Sequence, residues 1–419
     1  MIWRWMDHAN LAESLLNKGS YSAAIAACEV GLQRSPENLF LRICLGRAYD
    51  GLGRPAEALA ECDRVLEVQP AGDLASAANV LKALVYTSLG DGDAAFAAAR
   101  RALELAPDDV HAHCLIGSVM AWHGYLEEAL AFIEWNWIEE QLECNVRHAG
   151  VPMWTPGMAP VRRLLVAHGQ GLGDAIQMAR YLPQLHERAD RVVLECAPPL
   201  LELLRDAPGV DEVVVRDRTS APEPCDAYVR TMTLPRLLGL ESGAGAAYLH
   251  ADPGRIERFR PRMGADGALR VGIVWAGNAG HGSDFRRSMP FAELRSLEGI
   301  GGIRWFSLMN GARADEAFAD WEIDPLGDEF GDLADAAAAI AQLDLVITVD
   351  TAIAHLAGAL GRPVWMMLPR RPDWRWGGSG ECTSWYPSMR IFREPGPEWS
   401  TVVPRIRAAL LDLLAARVA

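Results

Sequence analysis

The chain has little of what metal or redox chemistry needs. Its 419 residues include eight cysteines, but no C-x-x-C pair, so zinc and dithiol motifs find no support. Most of those cysteines stand among apolar neighbours, as small buried residues do. His111, His113 and Cys114 are close in sequence, yet 111 and 113 would face different ways on a helix, so no metal site is expected there. An apolar run long enough to span a membrane is absent. The opening stretch MIWRWMDHANLAESLL lacks the apolar core and cleavage site of a signal peptide, and the chain reads as cytoplasmic. Positive charge is also short: 40 Lys and Arg against 55 Asp and Glu leave a formal charge of −15. That balance argues against non-specific binding to nucleic acid or an anionic membrane. With 50% hydrophobic residues the chain can build ordinary cores, and its length allows about two to four domains.

Two sequence styles meet near residue 150. Up to that point the chain is Ala- and Leu-rich and repeats. Gly19, Gly53, Gly90 and Gly124 are spaced by 34, 37 and 34 residues, and Ala24, Ala58, Ala95 and Ala129 each follow five residues later. Leu32, Leu66 and Leu103 each precede Pro36, Pro70 and Pro107 by four. Gly46 and Gly117 hold the same place in their units. Each unit reads as a helix, a turn at Gly, a second helix and a Pro that stops it. Extra residues near Ala71–Ala75 lengthen one connection, and AFIEWNWIEEQLE follows the fourth unit as a capping helix. The pattern over roughly residues 7–145 resembles the tetratricopeptide repeat, whose period is about 34. That resemblance implies an extended concave surface that binds a peptide or partner; the plainer reading is a scaffold packed only on its own second half.

Beyond 150 short Val/Ile strands alternate with helices, the pattern of parallel α/β sheets. Candidate strands are Leu164–His168, Arg191–Cys196, Glu212–Val215, Val271–Trp275, Arg304–Leu308, Leu345–Val349 and Val364–Leu368. The polar stretch over 251–270 reads as a linker between two Rossmann-like lobes, and the last helix, about Thr401–Ala416, as packing on either lobe. The expected domains are 1–150, a helical repeat array; 151–262, a first lobe on the acceptor side; and 263–419, a second lobe on the nucleotide-sugar side.

Three loops carry the chemistry. The first runs His168-Gly169-Gln170-Gly171-Leu172-Gly173-Asp174 and opens a helix expected over Ala175–Glu187. Its glycines permit close approach of a ligand. The spacing is G-x-G-x-G, so the dinucleotide fingerprint fails, although Glu195 at the next strand end would suit it. Asp174 is either the helix cap or a carboxylate presented to an inter-lobe cleft. The second loop, Asp350-Thr351-Ala352-Ile353-Ala354-His355, joins a buried strand directly to a small-residue helix, and free N–H groups there make an anion site. His355, about one turn in, lies on a face that can reach a phosphate; the plainer reading of a lone His is a structural one. The third, Ser283 to Pro290, carries Arg286 and Arg287, paired arginines suited to a diphosphate. A fourth segment, Pro369 to Pro387, brings Arg370, Arg371, Trp374, Arg375, Trp376 and Trp385. So aromatic a loop either buries a ligand or partner or covers the sheet.

Together HGQGLGD, WAGN…DFRRSMP and VDTAIAHLAGALGRPVW, in that order over about 160–395, resemble glycosyltransferase family 9, which includes the ADP-heptose:lipopolysaccharide heptosyltransferases. The resemblance implies a fold of α plus α/β domains: a TPR α-solenoid, then a GT-B pair of Rossmann-like lobes with a nucleotide-sugar between them. It further implies inverting transfer without a metal or other cofactor, with Asp174 as general base. Arg287, where heptosyltransferases usually carry Lys, would contact donor phosphate, with Arg286 beside it. Asp350, Thr351, Ala352 and His355 would hold the diphosphate, with Gly171 and Gly173 in the first loop and Asn310 beyond a strand also on the donor side. Gln170, Trp374, Arg375 and Trp376 are acceptor-side candidates, and Asp315 or Glu316 the candidate for donor ribose. ADP is the favoured nucleotide, with UDP, GDP and CMP open. The repeats, absent from heptosyltransferases, suggest a protein or peptide acceptor, such as a surface or flagellar protein glycosylated before export; self-association is a further expectation. The alternatives are a heptosyltransferase-like enzyme acting on a saccharide or lipid-linked acceptor, and a non-catalytic TPR scaffold with a degenerate GT-B half.

Overall fold

A computed structural model describes residues 3–138, 147–168, 171–216, 224–240, 245, 247–279, 284–311, 321–396 and 399–418. The first part is four antiparallel helix pairs: α1 (Trp3–Asn17) with α2 (Tyr21–Arg34), α3 (Leu39–Gly51) with α4 (Pro55–Val68), α5 (Asp73–Leu89) with α6 (Gly92–Leu105), and α7 (Val110–Trp122) with α8 (Leu126–Ile133). The turn glycines Gly19, Gly53, Gly90 and Gly124 take φ values of 71°, 71°, 78° and 93°, which a residue with a Cβ adopts only at a cost. Helices α2, α4 and α6 each end two residues before their proline, which cannot continue a helix. Asn38, Asp91 and Asp109 cap α3, α6 and α7, accepting backbone N–H groups at 3.0, 3.0 and 2.8 Å. The small residues set the helix spacing. A Cβ on Gly46 would fall 2.9 Å from Leu81 Cδ2, and one on Gly117 2.7 Å from Ile133 Cγ1.

Three small cores run along the array, around Cys28 and Leu41, around Cys62 and Leu81, and around Ala99 and Ile116. The last repeat differs. Its Ala121, Ala129, Leu130 and Ile133 belong to the large core of the second half, with Trp154, Tyr181 and Leu182. In the stretch expected to form a capping helix, α8 gives way to a 3₁₀ turn over Glu134–Trp137 and helix resumes at Ile138; 139–146 lie outside the described residues. His113 stacks on Trp135 at 3.7 Å and its Nε2 meets the Pro107 carbonyl at 2.8 Å, an ordinary packed histidine. Burial pushes the Cys28 and Cys62 thiols up to about 12; Cys382 is exposed.

The second part is two parallel sheets. The first lobe holds β1 (Val161–Ala167), helix α9 (Leu172–Met178), β2 (Ala189–Cys196), β3 (Glu212–Val215) and β4 (Ala227–Arg230), in strand order β3-β2-β1-β4. The helix expected over 175–187 breaks after Met178 and continues as a 3₁₀ turn that contains Pro183. Proline removes an N–H and crowds the carbonyl four residues back. The stretch read as a linker folds as α10 (Pro253–Phe259) and a tight turn, Arg260–Met263. The second lobe holds β5 (Leu269–Val274), β6 (Ile303–Ser307), β7 (Ile323–Asp324), α11 (Leu333–Ile340), β8 (Leu345–Val349), α12 (Ala352–Ala359), β9 (Val364–Leu368), β10 (Met389–Arg393) and α13 (Val402–Val418). Its strand order is β10-β9-β8-β5-β6-β7.

Helix α10 is not a free linker. Arg255 reaches Asp332 and Asp335 on α11's N-terminal end at 2.6 and 2.8 Å, and Arg258 reaches Asp335 at 3.1 Å. Tyr248 and Leu249 donate their N–H groups to the Ala359 carbonyl at 2.9 and 3.1 Å. The chain therefore docks onto the second lobe well before residue 262. Helix α13 packs on that same lobe, where the buried Glu394 accepts from Thr401 N, Thr401 Oγ1 and Val402 N at 2.9, 2.9 and 3.1 Å. Among the described residues no helix is long and apolar enough to cross a membrane.

Candidate active site

The first Gly-loop and the helix after β8 meet face to face. Parallel strands end on one side of each sheet, and loops leaving those ends face the cleft between lobes. Here α9 of the first lobe lies against α12 of the second. The contact leaves no room for a side chain at Gly173, where a Cβ would sit 2.8 Å from His355 Cδ2 and 3.4 Å from Ala352 Cα. Gly171 precedes α9, and Gly169 and Gln170 lie outside the described residues.

Asp174 does both things its sequence position allowed. As a cap its Oδ2 accepts the Gly171 N–H at 2.9 Å. Its Oδ1 forms an ion pair with Arg375, which comes from the aromatic loop of the opposite lobe. Arg375 also donates through Nε to Gln177 Oε1 at 2.7 Å and through Nη1 to Asp373 Oδ1 at 2.8 Å. Its guanidinium lies 4.5 Å from the Trp374 ring centroid. Burial opposes its charge, but Asp373, Asp174 and Asp350 outweigh burial and hold its pKa above the usual arginine value. It is a permanent cation spanning the cleft.

The turn after β8 is equally closed in. Thr351 Oγ1 lies 3.2 Å from Thr348 Oγ1. Burial first, and then Asp373, push Asp350 up to about 6, against the pull of the Trp376 indole N–H, Arg375 and Arg287. His355 is buried, with Nδ1 2.9 Å from Tyr386 Oη and Nε2 4.0 Å from Asp350 Oδ1. Burial, then Arg375, Arg180 and Arg287, hold its pKa well below the usual histidine value. In this arrangement its Nδ1 is engaged by Tyr386 and its Nε2 side faces Asp350 without a hydrogen bond.

Arg286 and Arg287 diverge. Arg287 Nε lies 3.3 Å from Asp284 Oδ1, and a Cβ on Gly277 would meet both side chains within 2.8 Å. Its charge acts on Asp350 and His355. Arg286 instead faces the repeats and leaves the cleft. Asn310 is exposed beyond β6, and no contact among the described residues joins it to the other candidates. Asp315 and Glu316 lie outside the described residues.

Trp374 and Trp376 are not an exposed platform. With Trp385 they are buried; Trp376 stands 5.2 Å from the His355 ring and Trp385 Nε1 donates to the Arg375 carbonyl at 3.0 Å. The segment packs on the protein itself, including the last repeat, where Gly378 N–H donates to the Trp122 carbonyl at 3.2 Å. From this loop Arg375 crosses to the opposite lobe, while Asp373 and Trp376 stand beside the Asp350 turn. One residue escaped the sequence reading. Arg180 donates to the Gln177 and Trp385 carbonyls at 2.9 and 2.7 Å and to Tyr248 Oη at 3.2 Å, joining the lobes behind the cleft. Its signal was an arginine inside the apolar run IQMARYLPQL. Among the described residues no group of three or more His, Cys, Asp or Glu is placed to hold a metal ion.

Asp350 makes one pH effect calculable in sign. Its folded pKa, about 6, exceeds the roughly 3.9 of an unfolded Asp. Its contribution to stability is therefore full below the unfolded value and is lost as pH rises through 6. An anionic ligand beside it gains from the same proton. Affinity for an anionic ligand held at this turn, probed with a nucleoside diphosphate, should rise several-fold between pH 7.5 and 5.5, and Asp350→Asn should flatten the profile. Calorimetric titration at both pH values checks this; an equal slope in the variant would place the titrating group elsewhere.

Comparison with known proteins finds likenesses in both parts of the chain. Residues 331–367 match the family described as glycosyltransferase family 9 (heptosyltransferase), and residues 15–84 and 76–109 match tetratricopeptide repeat families. The first part of the chain is thus similar to tetratricopeptide repeats, and a segment of the second lobe is similar to glycosyltransferase family 9. Among individual proteins, it is 27% identical over 447 aligned residues to "Protein FlbA" of Caulobacter vibrioides, across 97% of this chain and 72% of that protein. Similar solved structures include the glycosyl transferase family 9 from Veillonella parvula DSM 2008, at 13% identity, TM-score 0.42, over 57% of this chain and 87% of that one. Another is the E. coli ADP-heptose LPS heptosyltransferase II, at 13% identity, TM-score 0.43, over 62% of this chain and all of that one, 100%.

Proposed function

We propose that this chain is an inverting, metal-independent glycosyltransferase that moves a sugar from a nucleotide-sugar to a polypeptide acceptor recruited by the repeats. One observation carries the reading: a carboxylate on one lobe, Asp174, stands across the cleft from a helix start and two arginines on the other. The acceptor oxygen attacks the anomeric carbon from the side opposite the diphosphate. The bond from that carbon to phosphate oxygen breaks, its electron pair leaves with the diphosphate, and Asp174 takes the acceptor proton. Charge gathering on the leaving diphosphate is met by Arg287, by Arg375 and by the free N–H groups that open α12.

In the arrangement seen here Arg375 neutralises Asp174. A bound diphosphate offers that arginine a more highly charged partner, and its transfer to the donor would free the base. The donor then enters before the acceptor. ADP is the proposed nucleotide, on the resemblance to family 9.

The same ion pair also favours a second reading, a scaffold that binds partners and transfers nothing. Thermal-shift measurements with ADP, UDP, GDP, CMP and their sugars separate the two. A ligand at 100 times its Kd stabilises by about 2.7 kcal/mol, so one nucleotide should raise the midpoint. Losing a charged hydrogen bond costs about 1.5–3 kcal/mol, so Arg287→Ala should weaken that binding by about 10- to 150-fold. No shift with any nucleotide leaves the scaffold reading standing. Transfer to a small saccharide at the rate of a polypeptide would move the acceptor assignment to the saccharide or lipid-linked class.

A further inference from the structure

Repeats and catalytic half meet a second time, at the other end of the array, and the charges there do not balance. Phe285, beside the arginine pair, enters the first repeat turn. A Cβ on Gly19 would lie 2.8 Å from its Cδ2, and Tyr21 meets its ring edge-on at 6.4 Å. Arg286 lies over that ring at 5.4 Å. From the aromatic loop, Arg371 donates to Asp50 Oδ2 on α3 at 2.5 Å, and Arg370 donates to the Asp50 carbonyl at 3.1 Å and lies 3.8 Å from its carboxylate. Arg47, one turn before Asp50, faces the same seam.

Four guanidiniums thus gather around one carboxylate in a chain whose formal charge is −15. Among the described residues Arg47 and Arg286 have neither a hydrogen-bond nor an ion-pair partner. Burial and then Arg371 hold both Arg286 and Arg370 below the usual arginine value, and Arg47 adds to the effect on Arg286. Crowding like charges at a half-buried seam is costly unless an anion joins them. Arginine is the residue whose planar fork takes a carboxylate through two parallel bonds.

We propose that Arg47, Arg286, Arg370 and Arg371 form a carboxylate-binding site that holds an acidic stretch of the polypeptide acceptor at the mouth of the array. The proposal rests on the polypeptide-acceptor reading and adds the chemistry of the recognised segment. The site is built from both halves: α3 supplies Arg47 and the catalytic half supplies the other three. An acidic stretch seated there lies on the repeat side of the loop whose next residue, Arg287, faces the cleft. Binding and placement of the acceptor are then one event.

The test is fluorescence anisotropy on the full chain with a labelled Glu-rich dodecapeptide and its Gln-substituted twin. The acidic peptide should bind at least tenfold tighter than the twin at about 50 mM salt and lose most of that advantage at about 300 mM. Arg47→Gln should remove the preference and leave the thermal shift by nucleotide unchanged, and Arg371→Gln should remove it independently. Equal binding of the two peptides overturns the proposal, as does an undiminished preference in both variants. Displacement of the peptide by inorganic phosphate or by ADP at their ordinary site-filling concentrations would also overturn it, since the arginines would then belong to the donor. Failure of transfer with intact peptide preference would instead count against the glycosyltransferase reading alone.

Discussion

Asp174→Asn is expected to fold normally and to lose transfer by about 10²–10⁴-fold, the range a positioned general base contributes. The substitution keeps the shape of the side chain and an oxygen to accept the Gly171 N–H, now held at 2.9 Å, so α9 keeps its start. It removes the atom that takes the acceptor proton and the charge that pairs with Arg375. Nucleotide binding should therefore hold or strengthen, because Arg375 no longer needs to leave a partner. The informative comparison is initial transfer rate beside nucleotide-induced thermal shift in the same preparation. A variant within threefold of the parent in rate would end the assignment of Asp174 as base, whatever the shift shows.

Trp376→Ala is the second large effect. The indole is 2% exposed and forms the wall behind His355 and Tyr386, at ring distances of 5.2 and 6.3 Å. Removing a buried aromatic of this size costs about 3–5 kcal/mol. The loss should fall on the second lobe, because the first three repeats have cores of their own. Urea unfolding followed by far-ultraviolet dichroism should split into two transitions, with the α/β one moved to lower denaturant and the helical one in place. Nucleotide binding should weaken as well, since His355 loses the ring that holds the Asp350 turn. A single unmoved transition would show that the aromatic loop is not part of the lobe's core.

The repeat half was legible because its information is local. Gly at each turn, Pro after each second helix and Ala at the crossing recur at nearly fixed spacing, and each has one structural reason. Seven strands were also legible as Val/Ile runs. The three not read are less ordinary: AYVR and MRIFR carry charge inside short runs, and Ile323–Asp324 has only two residues. Pro183 was visible, and its effect on the helix follows from the ring; the apolar spacing on both sides concealed it. The site was legible as loops, and its wiring was not. Arg375 and Asp174 are 201 residues apart, and no periodicity or motif pairs them. His355 could be placed one turn into its helix, whereas its protonation depends on burial and on Arg375, Arg180 and Arg287 from other segments. The tryptophans stayed open between a ligand or partner wall and a cover for the sheet, because a Trp-rich loop and a Trp-rich core look alike until the neighbours are known.

The unequal cores of the array bear on how such a chain changes over time. The small cores lie between neighbouring repeats, the usual basis for gaining or losing a unit at little cost to the rest. Here both ends of the array are held. The innermost repeat shares its interior with Trp154 and Tyr181, and the outermost turn meets Phe285 while Asp50 pairs with Arg371. A repeat added or lost between those anchors would pull one of them off the α/β half, so the length of the array and the layout of the cleft loops are inherited together.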